Sequence, residues 1–174
     1  MRQGYALTAF TERGTELAGK LAAVLGGSLR KPEETLSAWT EENFKTREGL
    51  IFVGAVGIAV RAVAPFLRSK AEDPAVVCVD ETGRWAIPIL SGHLGGANAL
   101  ARKIAELTGG EGVVTTATDL NGVFAVDLWA KRQGMTVLQP DRIRKISSAL
   151  LRGENVTVES VFPISGIPPE QVCP

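Results

Sequence analysis

Short apolar runs alternate with segments of helical spacing along almost the whole of this 174-residue chain, and that alternation leaves few folds open to it. Residues 5–10 read as a strand. Thr11-Glu12-Arg13-Gly14 then leads into a helix whose Leu17, Leu21, Val24 and Leu25 recur at helical spacing until Gly26-Gly27. A short helix over 34–44, with Leu36, Trp39 and Phe44, comes next. Leu50-Ile51-Phe52-Val53 is apolar at every position, as in a strand covered on both faces of a parallel sheet. The following segment, 54–67, places Val56, Val60, Val63 and Leu67 on one helical face and Ala55, Ala59, Ala62 and Ala64 on the others. Apolar nearly all round, it is expected to be largely buried.

Ala75–Val79 and Trp85–Leu90 predict two further strands. Asp80-Glu81-Thr82-Gly83-Arg84 between them is rich in turn formers and fits a hairpin or tight loop, while Pro88 argues against a central position for the second strand. A helix over 94–107 turns Ala97, Leu100, Ala101 and Ile104 inward. Val113-Val114-Thr115-Thr116 reads as a β-branched strand, 123–132 as a helix with Phe124, Leu128 and Trp129 as apolar anchors, 135–138 as a strand, 140–151 as a helix and 156–158 as a strand. Residues 161–174, with four prolines, read as a linker or extended tail. The expected architecture is α/β: a layered sandwich with a mainly parallel sheet flanked by helices. Its expected division is an α/β domain over 1–127 and a smaller region with a Pro-rich tail over 128–174.

Charge and cysteine content narrow the function. Lys and Arg number 19, as do Asp and Glu, so no overall field draws the chain to nucleic acid or an anionic membrane, and an anionic partner must be held by local groups. Cys78 and Cys173 form neither a disulfide framework nor a metal-ligand spacing, which suits a reducing cytoplasm. Met1-Arg2-Gln3-Gly4-Tyr5 does not read as a signal peptide, and no apolar stretch approaches the roughly 20 residues needed to cross a bilayer, so a soluble protein is expected. A dinucleotide site is disfavoured because Thr11-Glu12-Arg13-Gly14 does not supply a Gly-x-Gly-x-x-Gly turn after the first strand.

Three segments carry chemistry. Ser91-Gly92-His93-Leu94-Gly95-Gly96-Ala97-Asn98 sits where a strand hands over to a helix, where backbone amides suit a carboxylate or phosphate and glycines permit its close approach. Gly95 and Gly96 can equally serve close helix packing. His93 is the chain's one histidine and its best group for proton transfer near neutral pH, although a packing or capping role is also open. No second histidine or cysteine pair completes a metal site. Thr115, Thr116, Thr118 and Asp119 form a second cluster, in which Asp119 either orients His93 or a water, or caps the next helix. The third, Gly54-Ala55-Val56-Gly57-Ile58-Ala59-Val60-Arg61, needs a counter-charge for Arg61, from a substrate carboxylate or from an aspartate such as Asp80. Ser91 lacks the Gly-x-Ser-x-Gly elbow of a hydrolytic nucleophile.

These stretches, together with Asp80-Glu81-Thr82-Gly83-Arg84 and Pro88-Ile89-Leu90, resemble the CbiG family of cobalamin-biosynthesis proteins. The resemblance runs from the first strand to about Asp127 and more loosely beyond. It implies an enzyme of the anaerobic pathway acting on cobalt-precorrin-5A. Water opens a δ-lactone on the tetrapyrrole rim and a two-carbon unit leaves as acetaldehyde, giving cobalt-precorrin-5B. The alternative within the same pathway is a non-catalytic tetrapyrrole-binding or carrier module. With the resemblance, His93 and Asp119 become the expected catalytic pair. Arg61, Arg84, Ser91, Gly92, Gly95, Gly96, Asn98, Thr115, Thr116 and Thr118 become the expected substrate contacts. The cobalt arrives inside the substrate and no other cofactor is expected. Family members usually continue into a C-terminal domain that this sequence stops short of at Pro174, so a separate domain or another pathway enzyme is an expected partner.

Overall fold

The computed structural model describes residues 2–70, 72–163 and 169–173. It divides into two compact units, Met1–Val114 and Thr115–Pro174.

The first unit is built on a six-stranded sheet in the order β2-β1-β3-β4-β5-β6. The strands are β1 (Tyr5–Ala9), β2 (Ser28–Leu29), β3 (Gly49–Val53), β4 (Ala75–Val79), β5 (Trp85–Leu90) and β6 (Glu111–Gly112). The first four are parallel, β5 is antiparallel to β4, and β6 is parallel to β5. The expected mainly parallel sheet is therefore present, with helices on both faces. α1 (Glu12–Leu25) and α4 (Ala97–Thr108) cover one face and α2 (Leu36–Thr46) and α3 (Val56–Val63) the other.

Local chemistry sets these boundaries. The Thr11 hydroxyl accepts the Gly14 N–H at 3.0 Å to start α1, and Gly26, with φ 69°, ends it in the left-handed conformation that glycine adopts freely. β3 and β4 are buried at every position because both faces are covered. On the α1/α4 face Leu7, Ile51, Val77 and Val79 meet Leu21, Leu100 and Ile104. On the other face Phe52 meets Trp39 edge to face, with centroids 5.5 Å apart. Each such side chain contributes about 1.5–3 kcal/mol on burial.

The hairpin expected at 80–84 joins β4 and β5. Pro88 is accommodated because the β4–β5 register shifts between Val76 and Val77, and because β6 pairs only with Trp85 and Ala86, which leaves the Pro88 end of β5 as an edge. Two expectations fail here. Val113-Val114-Thr115-Thr116 is not a strand, since pairing with β5 ends at Gly112 and only the Val113 N–H still reaches Ala86 O, at 2.8 Å. The 54–67 segment is not largely buried: α3 keeps Ala59 and Val63 inside but leaves Val56 37% and Val60 44% exposed. An all-round apolar helix carries no phase information, so its spacing could not select the inward face.

The second unit contains α5 (Ala117–Leu120), α6 (Val126–Arg132), a 3-10 turn (Pro140–Arg142) running into α7 (Ile143–Leu151), and the parallel pair β7 (Val156–Thr157) and β8 (Val172–Cys173). Residues 135–138 are not the expected strand. The Met135 N–H returns to Ala130 O at 2.9 Å, closing α6, and Leu138 is 89% exposed. Part of the expected tail is ordered as β8. Residues 164–168 and 174 of that tail lie outside the described residues. Among the described residues no helix is long and apolar enough to cross a membrane.

Candidate functional site

The turn from β5 into α4 is tightly constrained. Ser91 takes a left-handed backbone, φ 57°, an uncommon conformation for a residue with a β-carbon. The 91–96 loop then folds over its own helix. Ala97 N–H donates to Ser91 O at 3.1 Å, Asn98 N–H to Gly92 O at 3.0 Å and Gly96 N–H to His93 O at 3.0 Å. The Ala97 and Asn98 amides expected to face an anion are thus spent inside the loop.

The glycines are explained by the same compactness. A β-carbon on Gly92 would lie 2.7 Å from the buried Asn98 Oδ1, and one on Gly95 would meet the Ser91 β-carbon and stand 2.8 Å from Ser91 O. Gly96 supplies the φ of 90° at the cap of α4. Inside this wrap the Ser91 hydroxyl is buried with no hydrogen-bond partner among the described residues. A left-handed serine with an unsatisfied hydroxyl costs stability, and such strain tends to persist where a ligand or a reaction uses it. His93, half-buried, sits in the middle of the loop.

The direction of β5 decides what the loop can share. Ala86 pairs with Val79 and Leu90 with Val76, so Ser91 emerges at the amino edge of the parallel strands. The Gly54-Ala55-Val56-Gly57 turn and Arg84 lie at the carboxyl edge, about 15 Å away at roughly 3.3 Å per residue. Arg61 projects from α3, on the sheet face opposite α4, is exposed, and has no ion pair among the described residues. Arg84 lies over the Trp85 ring, 4.7 Å from its centroid. Neither arginine is brought to the His93 loop.

Asp80 is no counter-charge for Arg61 either. Its carboxylate accepts the Thr82 N–H at 3.0 Å, the Trp85 N–H at 2.6 Å and the Thr82 hydroxyl, which builds the hairpin. Burial pushes its pKa up, but these bonds and the Arg84 N–H outweigh that and hold it below the ordinary aspartate value.

In the second unit Thr116 is the N-cap of α5, Thr118 is buried, and Asp119 lies in the body of the helix. The capping role weighed for Asp119 at the next helix is not taken up, because the N-cap position of α6 is Ala125. Asp127, 5% exposed in the first turn of α6, is a buried carboxylate that the sequence patterning passed over. The signal was its place three residues before Ala130, on the same buried face. Among the described residues no three His, Cys, Asp or Glu side chains cluster as a metal site.

The sequence model of the family described as Cobalamin synthesis G N-terminal (CbiG_N) matches residues 38–119, a stretch that runs from α2 through the His93 loop to Asp119. This chain is related to the CbiG proteins. It is 42% identical over 139 residues to a cobalt-precorrin-5A hydrolase of Salmonella typhimurium, covering 74% of this chain and 40% of that one. A cobalt-precorrin-5A hydrolase of Priestia megaterium is 32% identical over 174 residues, 90% of this chain and 46% of its own length. The crystal structure of a cobalamin biosynthesis protein G homologue from Sulfolobus solfataricus matches with a TM-score of 0.60 at 25% identity, over 98% of this chain and 52% of that one. The CbiG-like chain thus spans less than half the length of these two curated relatives.

Proposed function

We propose that this chain provides the amino-terminal part of a cobalt-precorrin-5A hydrolase, acting in the cytoplasm in the anaerobic route of cobalamin biosynthesis. The observation that carries this is the coincidence of the CbiG match over residues 38–119 with the strained loop that holds the chain's one histidine.

The chemistry asks for proton transfer. Water adds to the δ-lactone carbonyl and loses a proton, and the ring oxygen departs as an alcohol that gains one. When that alcohol gives up its proton, the adjacent carbon–carbon bond breaks, acetaldehyde leaves, and the electron pair left on the macrocycle is protonated. An imidazole, with an ordinary pKa of about 6.5, can accept and return protons in each step near neutral pH. His93 is proposed for that role, with Asp119 as a second ionisable group. Ser91, whose hydroxyl has no hydrogen-bond partner among the described residues, and the adjoining glycines are proposed as substrate contacts, as are Asn98, Thr115, Thr116 and Thr118. Arg84 is left out because β5 puts it at the opposite edge of the sheet from the loop, and Arg61 because it projects from α3 on the sheet face opposite α4. Cobalt belongs to the substrate, and the proposal adds no further cofactor.

The test is acetaldehyde release from cobalt-precorrin-5A by the purified chain, alone and mixed with the carboxyl-terminal part of the Salmonella typhimurium relative. Aldehyde in either mixture supports the proposal. Binding of the tetrapyrrole without aldehyde in both would indicate the carrier role instead.

A further inference from the structure

The carboxyl edge of the sheet carries a cavity that the proposed reaction does not use. It measures about 370 Å³, lies where β1 and β2 end, and is lined by Thr8, Phe10, Thr11, Thr15, Arg30 and Pro32 among others. Its place is the carboxyl edge of the parallel strands, at the ends of β1 and β2. Open α/β sheets bind ligands outside the carboxyl ends of their strands.

Arg30 gives the cavity its chemistry. Its backbone N–H donates to Leu7 O at 2.8 Å, continuing the β1–β2 ladder. Its Nε donates to Thr8 Oγ1 at 2.8 Å, and its Nη1 to the Glu34 carbonyl oxygen at 2.5 Å. Thr8 is only 1% exposed, a hydroxyl in an otherwise apolar strand, and it fixes the guanidinium plane. Both acceptors are neutral, and among the described residues no carboxylate pairs with Arg30. The Thr8 proton likewise has no acceptor among them. A half-buried, oriented guanidinium without a counter-charge, beside a buried O–H free to donate, is one half of a charge-assisted pair.

The remaining wall agrees. Thr15 donates its hydroxyl proton to Thr11 O at 2.9 Å and keeps its lone pairs, and α1 starts at this wall with its partial positive charge. The carboxylates on the surrounding elements are Glu12 and Glu16 of α1, Glu33 and Glu34 after β2, and Glu81. Glu81 takes the Thr11 hydroxyl at 2.7 Å and Glu34 takes the Lys31 N–H at 3.4 Å. Phe10 and Pro32 supply apolar surface beside the polar groups.

We propose that this cavity is a carboxylate-binding site, in which Arg30 and Thr8 take the carboxylate and Phe10 and Pro32 enclose a short aliphatic chain. The ligand is either a small free acid or an acetate or propionate arm of a larger molecule. The proposal does not rest on the hydrolase assignment.

Titration of the isotope-labelled chain with propionate, followed by NMR, tests it. Saturable shifts are expected at Thr8, Thr11 and Arg30, with Arg30→Met binding at least about tenfold more weakly. Propionamide, which matches propionate in shape without its charge, is expected not to bind, and this control needs no variant. The source is read from competition. Uroporphyrin displaces propionate while its octamethyl ester does not if the site holds a macrocycle arm, and neither displaces it if the ligand is a small acid. Absence of saturable binding by both propionate and uroporphyrin, or equal binding of propionamide, overturns the proposal.

Discussion

The backbone of Gly95 runs so close to Ser91 that a β-carbon on Gly95 would collide with the Ser91 β-carbon and stand 2.8 Å from the Ser91 carbonyl oxygen. Neither atom is the far end of a flexible side chain, so the loop itself must open to make room. Gly95→Ala is expected to cost about 1–3 kcal/mol, the usual penalty of overpacking. Urea denaturation measures it, and an unchanged midpoint would mean that the loop does not fold on itself as described.

Ser91→Ala has the opposite sign. It removes a buried hydroxyl that has no partner among the described residues and keeps the β-carbon. Stability is expected to hold or rise by up to about 1 kcal/mol, while the affinity for substrate falls if the hydroxyl touches it. A loss of stability above that size would show that the hydroxyl is satisfied in solution.

Asp80 ties the β4–β5 hairpin to pH. Its folded pKa is depressed below 3.8, so its contribution is present above that value and lost as pH falls through the folded pKa. Asp80→Ala is expected to cost about 1 kcal/mol at neutral pH. Denaturation curves between pH 7 and pH 2 should converge for the two proteins at the acid end, and parallel curves would refute this.

The two cysteines should separate chemically. Burial, then the nearby Asp80 charge, push the Cys78 thiol up to about 11, against a weaker opposing effect of the Gly54 backbone. Cys173 is exposed. A thiol reagent at pH 8 is expected to modify one group per native chain and two after denaturation. Because the folded value is raised, the Cys78 contribution to stability is whole below its ordinary value of 9.0 and declines as pH climbs toward 11.

Much of the first unit was legible in the sequence because its signals were local and redundant. The apolar runs at 75–79 and 85–90, split by a five-residue turn sequence, correspond to β4 and β5 residue for residue. Thr11 and Gly26 bracket α1 for capping reasons that need no tertiary context. What failed depended on distant partners. Val113-Val114-Thr115-Thr116 has the composition of a strand but runs past the end of its pairing with β5, and the two-residue β2 has too few residues to show a period. At the candidate site the glycine-rich segment was visible as a strand-to-helix turn. The antiparallel sense of β5 was not, and it is this that parts Arg84 from His93. Strand direction is set by pairing, which alternation along the chain does not encode.

The central claim, that His93 moves protons in a hydrolase, is tested most directly by single-turnover acetaldehyde release from cobalt-precorrin-5A. The wild-type chain and His93→Gln are compared, each mixed with the carboxyl-terminal part of the Salmonella typhimurium relative. The expected result is a loss of about 10²–10⁴ in rate for His93→Gln, with the visible absorption of bound substrate retained. Equal aldehyde release by the two proteins would contradict it.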